Sequence, residues 1–88
     1  MENVAISRRA LTPLSEISRL CTPEDYRSAG RDRLFPSEVS LRWFMREHRE
    51  RLNHGAALFR IAGRLWIDPE AFDLVVAEVG RERAAQSA

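Results

Sequence analysis

Three arginines, Arg42, Arg46 and Arg49, recur at i, i+4 and i+7, and Arg60 and Arg64 follow around an Ala62-Gly63 pair. A guanidinium is a permanently charged planar fork. It can take the O6 and N7 of guanine together, or a pair of phosphate oxygens. On a helix, Arg46 points outward with Val39, Trp43 and Glu50, while Arg42 and Arg49 lie on the flank beside it. Val39 can meet a thymine methyl, and the flanking arginines suit phosphate. Glu50, four residues after Arg46, can pair with it and either orient or occupy it. Ser37 and Ser40 open the same segment. Their hydroxyls, with the first free N–H groups, can clamp a phosphate or simply cap the helix. Arg64 at a hairpin tip suits phosphate or the minor groove, with Arg60 on the preceding strand; the bland alternative is a solvated strand edge. Trp43 needs a partner: residues 1–20 folding back, DNA, or another protein.

No enzyme chemistry emerges from the same search. His48 falls on a core face and His54 near a helix end. There is no HExxH, no glycine-rich phosphate loop and no Ser-His-Asp arrangement. Tyr26, the single tyrosine, sits on an expected core face. Cys21 is the single cysteine, so no internal disulfide and no cysteine-based metal spacing is available. The reading is a non-enzyme with no cofactor and no metal.

The elements that must position these arginines can be read from capping and periodicity. Residues 1 to about 12 read as a tail. Thr12-Pro13 starts a short helix with Leu14, Ile17 and Leu20 or Cys21 on one side. Thr22-Pro23-Glu24-Asp25 starts a second, with Tyr26 and Ala29 facing the core and Gly30 ending it. Residues 31–36 form a tight turn. Ser37 caps a third helix whose core stripe is Leu41, Phe44, Met45, His48 and Leu52, stopping at Asn53-His54-Gly55. Two β-prone runs around Ala62-Gly63 form a hairpin that pairs Phe59 with Trp66 and Leu58 with Ile67. Asp68-Pro69-Glu70 opens a last helix with Phe72, Val75, Val76 and Val79 inside and Gly80 as its cap. The expected fold is mainly α with a small β-hairpin, in the order of a winged helix-turn-helix. The divisions are an N-terminal extension over 1–20, a winged helix-turn-helix DNA-binding domain over 21–80 and a C-terminal tail over 81–88.

The 88 residues carry a formal net charge of +1, which alone argues against a nucleic-acid partner. The charge is unevenly placed, however. It is 0 over residues 1–30, +4 over 31–64 and −3 over 65–88, and every basic residue is arginine. The positive part is the turn, third helix and hairpin. No apolar run approaches a membrane span, no signal peptide is evident, and a cytoplasmic, nucleoid-associated setting is the simple expectation.

Thr22-Pro23-Glu24-Asp25-Tyr26, followed by Ser37-Glu38-Val39-Ser40-Leu41-Arg42-Trp43-Phe44-Met45-Arg46-Glu47, resembles the helix-turn-helix of small phage-type excisionases. These are relatives of the mercury-resistance-regulator winged-helix superfamily. Arg42, Phe44, Arg46 and Glu47 reproduce their Arg–x–aromatic–x–Arg–Glu pattern. Ile61-Ala62-Gly63-Arg64-Leu65-Trp66-Ile67 and Asp68-Pro69-Glu70 are similar to their wing and following segment. The resemblance spans about residues 21–79. It implies a recombination directionality factor that binds repeated attachment-region sites on double-stranded DNA, bends them and helps a tyrosine integrase excise a mobile element. The chain departs from lambda-type members at Val39 and Trp43, where those carry charged residues. Three readings therefore enter: an excisionase; a transcriptional regulator of the same fold; and a protein-interaction module that never meets DNA. The acidic last helix of one copy meeting the basic flank of the next would give head-to-tail self-association on DNA.

Overall fold

The structure, a computed structural model, describes residues 13–87. In chain order they form α1 (Pro13–Ser18), α2 (Pro23–Ser28), α3 (Glu38–Glu47), α4 (Arg49–His54), β1 (Leu58–Ile61), β2 (Arg64–Ile67) and α5 (Pro69–Ser87). The fold is mainly helical with one two-stranded antiparallel hairpin. The N-terminal tail and Thr12 lie outside the described residues.

Local chemistry sets most element starts. The Thr22 hydroxyl accepts the Asp25 N–H, and Pro23 occupies the first turn of α2. Asp68 does the same for α5: its Oδ1 accepts the Glu70 and Ala71 N–H groups. The hairpin has the expected register, Phe59 opposite Trp66 and Leu58 opposite Ile67. Its two turn residues both have positive φ, Ala62 at 52° and Gly63 at 77°, the geometry whose twist matches the strands.

The core joins α2, α3, α4, the hairpin base and α5. Tyr26 from α2, Leu41 and Met45 from α3, Leu52 from α4, Ala57 and Ile67 at the hairpin base, and Phe72, Val75 and Val79 from α5 are all buried. The Tyr26 and Phe72 rings meet at 4.6 Å, and Phe44 bridges Phe72 at 5.8 Å and Phe35 at 5.4 Å. One polar cluster borders this core. The Tyr26 hydroxyl donates to Asp73 Oδ1 at 2.7 Å, and Arg31 grips the same carboxylate through two bonds of 2.8 Å. The Arg31 guanidinium also lies 4.1 Å above the Tyr26 ring. The Arg31 hydrogen bonds hold the Asp73 carboxyl below its ordinary range, aided by the Tyr26 hydroxyl. Burial, then Asp73, keeps the Tyr26 phenol protonated well above its usual pKa.

Several expectations are corrected. Ile17 and Ala29, expected on core faces, are exposed. The connection between α2 and α3 is longer than a tight turn, covering residues 29–37. Gly30 opens it at φ 88°, Arg31 accepts the Leu34 and Phe35 N–H groups, and Phe35 is thereby turned into the core. The third helix is not continuous. It breaks at His48, whose ring packs inward on Phe44 at 4.6 Å, although the His48 N–H still reaches the Phe44 carbonyl. The helix does stop at His54 with Gly55 as its cap, but the glycine is not the residue that turns left-handed. Gly55 has φ −84° and it is Ala56 that takes the left-handed conformation, at φ 57°. Its N–H bonds Asn53 O and the Ala57 N–H bonds Leu52 O, closing the helix end.

Gly80 does not end α5, and residues 81–87 are helical rather than a frayed tail. Long-range ion pairs supply the reason. Arg51 takes Glu82 in two bonds of 2.9 and 2.7 Å and lies 3.6 Å from Glu78, while Arg83 lies 3.7 Å from Glu47. The end of α5 is tied to α3 and α4 on both sides of the glycine.

These geometries fix two stability predictions. Ala56→Gly removes the Cβ strain of the left-handed position and raises stability by about 0.5–1 kcal/mol, whereas Leu41→Ala, emptying a fully buried site, lowers it by about 2–5 kcal/mol; urea melts measure both. The Asp73 contribution runs the usual carboxylate way: it is complete above the unfolded-chain pKa and is lost as pH falls through the lowered folded pKa. Urea midpoints between about pH 3 and 7 therefore fall towards acid, and Asp73→Asn flattens part of that fall.

Candidate nucleic-acid interface

α3 owes its start to two serines that cap each other. Ser37 Oγ accepts the Ser40 N–H at 3.1 Å, and Ser40 Oγ accepts the Ser37 N–H at 3.2 Å. The Ser40 hydroxyl also donates to Ser37 O at 2.7 Å, so its proton is committed to the cap. Of the two, Ser37 keeps a hydroxyl proton for a ligand. The reciprocal cap fixes the first turn of α3, and with it the direction of each side chain that follows.

The outward face of α3 carries Val39, 73% exposed, and Trp43, 57% exposed. Neither α1 nor any other described element buries Trp43, and its ring meets no other ring among the described residues. Arg46 and Glu50 are exposed on the same side, and no ion pair joins them.

Between α3–α4 and the hairpin runs an open groove of about 390 Å³. Arg42, Arg46, Arg49 and Arg60 line it together with Asn53, over apolar groups from Met45, Leu58, Phe59 and Leu65. No carboxylate lines it. Four guanidinium groups thus face one concave space. Only Arg42 has an acidic neighbour, Glu38 at 3.2 Å, and both side chains are more than half exposed. Such an exposed pair is worth little and can be exchanged for a phosphate. Arg46, Arg49 and Arg60 have no ion pair among the described residues. Arg64, at the hairpin turn, has its guanidinium 5.7 Å from the Trp66 ring centre and no carboxylate partner.

Of the other described arginines, Arg33 and Arg81 have no ion pair among the described residues, and five behave differently. Arg19, Arg27, Arg31, Arg51 and Arg83 each hold a carboxylate: Asp68, Glu24, Asp73, Glu82 and Glu47 respectively. The acidic excess of residues 65–88 is therefore largely consumed inside the molecule. Asp68, Asp73, Glu78 and Glu82 all face arginines of their own chain. On α5, Asp73, Glu78 and Glu82 are thus about half exposed and already engaged by arginines of their own chain, while Glu70 has no ion pair among the described residues.

Sequence spacing thus identified the residues that meet in the groove, with Arg42, Arg46 and Arg49 on one wall and Arg60 on the other. Val39 and Trp43 lie on the outward face of α3, Arg64 at the hairpin turn, and Ser37 and Ser40 at the start of α3. Asn53 was missed. It reads as part of a helix stop, and only the bend at His48 followed by the α4 turn brings it to the groove.

Among the described residues no group of three or more His, Cys, Asp or Glu stands close enough to hold a metal ion, and no helix is long and apolar enough to cross a membrane. His48 is held below its ordinary pKa by burial and by Arg83, and Cys21 is raised by burial. Compared with family models, curated proteins and solved structures, the chain finds no match in any of the three.

The contrast between the two sets of arginines gives a direct test. Arg49→Ala and Arg60→Ala should leave the urea midpoint unchanged within about 0.5 kcal/mol, since neither side chain has a partner to lose. Arg51→Ala, which frees Glu82 and Glu78 and loosens the end of α5, should lower it measurably.

Proposed function

We propose that this chain is a sequence-specific double-stranded-DNA-binding protein of the winged helix-turn-helix type, acting as an excisionase. In this reading α2 and α3 are the helix-turn-helix pair and the β1–β2 hairpin is the wing. The observation that carries it is the groove between them: four arginines line one concave surface, three of them without a carboxylate partner among the described residues, in a chain whose net charge is only +1. Arginines without ion pairs gathered on one concave surface are the arrangement a polyanion requires.

The mechanism is binding, not bond chemistry. α3 enters the major groove with its outward face on the base edges. Arg46 takes a guanine through O6 and N7. Arg42, after exchanging Glu38, and Arg49 hold the phosphates of one strand, and Ser37 adds its hydroxyl at the helix start. Arg60 and Arg64 reach across to the flanking backbone or minor groove. Gripping DNA from a helix and a wing at an angle favours a bent duplex, which is what a directionality factor supplies to a tyrosine integrase. The likeness of residues 21–79 to small excisionases supports that partner. A transcriptional regulator would use the same contacts, and an excision assay with the cognate integrase separates the two, since only an excisionase shifts the direction of recombination. The exposed Trp43 also suits a protein partner. A module of that kind would not show the salt dependence below.

About four arginine–phosphate contacts imply a log–log slope of affinity against salt of about −3 to −4. Fluorescence anisotropy on a duplex at several salt concentrations measures it, and a slope near zero would overturn the reading. Arg46→Ala combined with Arg64→Ala should weaken binding at least about tenfold, the loss of roughly 1.4 kcal/mol or more; unchanged affinity would remove both residues from the contact surface.

A further inference from the structure

We propose that Val39 and Trp43 form a reader of pyrimidine 5-methyl groups, so that this chain selects sites carrying thymine within about three base pairs of a guanine. The proposal rests on the DNA-binding reading above and names what its outward helix face recognises.

The argument begins with what these two side chains lack. Val39 and Trp43 are 73% and 57% exposed and stand one helical turn apart, so they form a continuous apolar strip rather than isolated groups. Arg46 follows Trp43 by three residues, and it lines the cationic groove. At 100° per residue Trp43 and Arg46 diverge by about 60° around the axis, with Val39 between them in angle. Along the axis Val39 and Arg46 are about 10 Å apart, which is roughly three base-pair steps.

Val39 and Trp43 stand outside the groove, beside its Arg46 edge, so only an occupant broad enough to receive α3 itself meets both. For a duplex seated on α3, the surface that meets them is the floor of the major groove. The floor presents N7 and O6 acceptors, amino donors and one apolar group, the thymine C5 methyl. A valine set over an acceptor or an amino group leaves that group without water and without a partner, which is unfavourable. Over a methyl the same valine buries apolar surface on both sides. Trp43 adds a broad apolar ring and one indole N–H, a donor only, which can meet a purine N7 or a thymine O4 beside the methyl. The charged neighbour completes the pattern, because Arg46 suits guanine. The strip thus discriminates by accepting methyl-bearing steps and rejecting bare polar ones.

The test uses duplexes enriched by the wild-type chain from a random 20-base-pair pool. Enriched sequences should carry thymine within about three base pairs of guanine. Replacing those thymines by deoxyuridine, which removes only the methyl, should weaken binding about fourfold for each methyl contacted, the equivalent of ~0.8 kcal/mol. Trp43→Ala and Val39→Ser should each bind the two duplexes more nearly alike, while keeping the wild-type salt slope and circular dichroism spectrum. Equal wild-type affinity for the thymine and deoxyuridine duplexes, or a pool with no enrichment of thymine, would overturn the proposal. The salt slope on the same duplexes reports separately on DNA binding: a steep slope with no methyl effect sinks only the reader and leaves the strip to a protein partner, whereas no salt dependence sinks both.

Discussion

Two backbone hydrogen bonds hold the architecture in register. Cys21 and Ile67 exchange N–H···O bonds of 2.9 and 2.7 Å, joining the strand that ends the hairpin to the segment that enters α2. A two-stranded hairpin alone is marginal in water. Here β2 pairs with β1 on one edge and with Cys21 on the other, and the Ile67 side chain is fully buried between them. The next residue, Asp68, caps α5 and bonds Arg19 at 2.9 Å. A two-residue junction therefore sets the hairpin angle, the start of the last helix and the approach to α2. The groove exists only because that angle is fixed: move the hairpin, and Arg60 no longer faces Arg42, Arg46 and Arg49.

Around this junction the arginines divide by role. One set is spent on structure, each member tied to a carboxylate distant in sequence or a turn away. Arg31 is the clearest case, since it holds Asp73, the Tyr26 ring and the carbonyls of Tyr26 and Ala29. The other set is left with water. The first set engages Glu24, Glu47, Asp68, Asp73, Glu78 and Glu82, and no carboxylate lines the groove where the second set stands. A formal charge near zero therefore coexists with a strongly positive groove, and the total charge conceals it.

What could be read from the chain follows the range of the physics involved. The hairpin register was legible because Ala62-Gly63 and the flanking β-prone runs allow one close-packed pairing. The caps at Thr22 and Asp68 were legible because a cap acts within three residues. The groove was half legible: helical spacing alone aligned Arg42, Arg46 and Arg49, but nothing local placed Asn53 beside them. The features that escaped are set at long range. The break at His48 has no proline or glycine to announce it, and arises where the ring packs on Phe44 and Arg51 turns to α5. Phe35 reads as part of an irregular turn, and enters the core only because Arg31 ties that turn down. α5 passes through Gly80 because Arg51 and Arg83 grip it from other elements. The left-handed residue at the end of α4 is an alanine beside a glycine, an inversion that composition does not reveal.

The charge of the groove comes from arginine alone, and the chain contains no lysine at all. Its charge is therefore a constant. No acetylation can erase it, and no alkaline shift within the range a cell tolerates can discharge it. A ligand held there is released by competing ions, by exchange with another polyanion or by destruction of the protein. Occupancy of such a groove answers to ionic strength and to competing polyanions, and not to the protonation of its side chains.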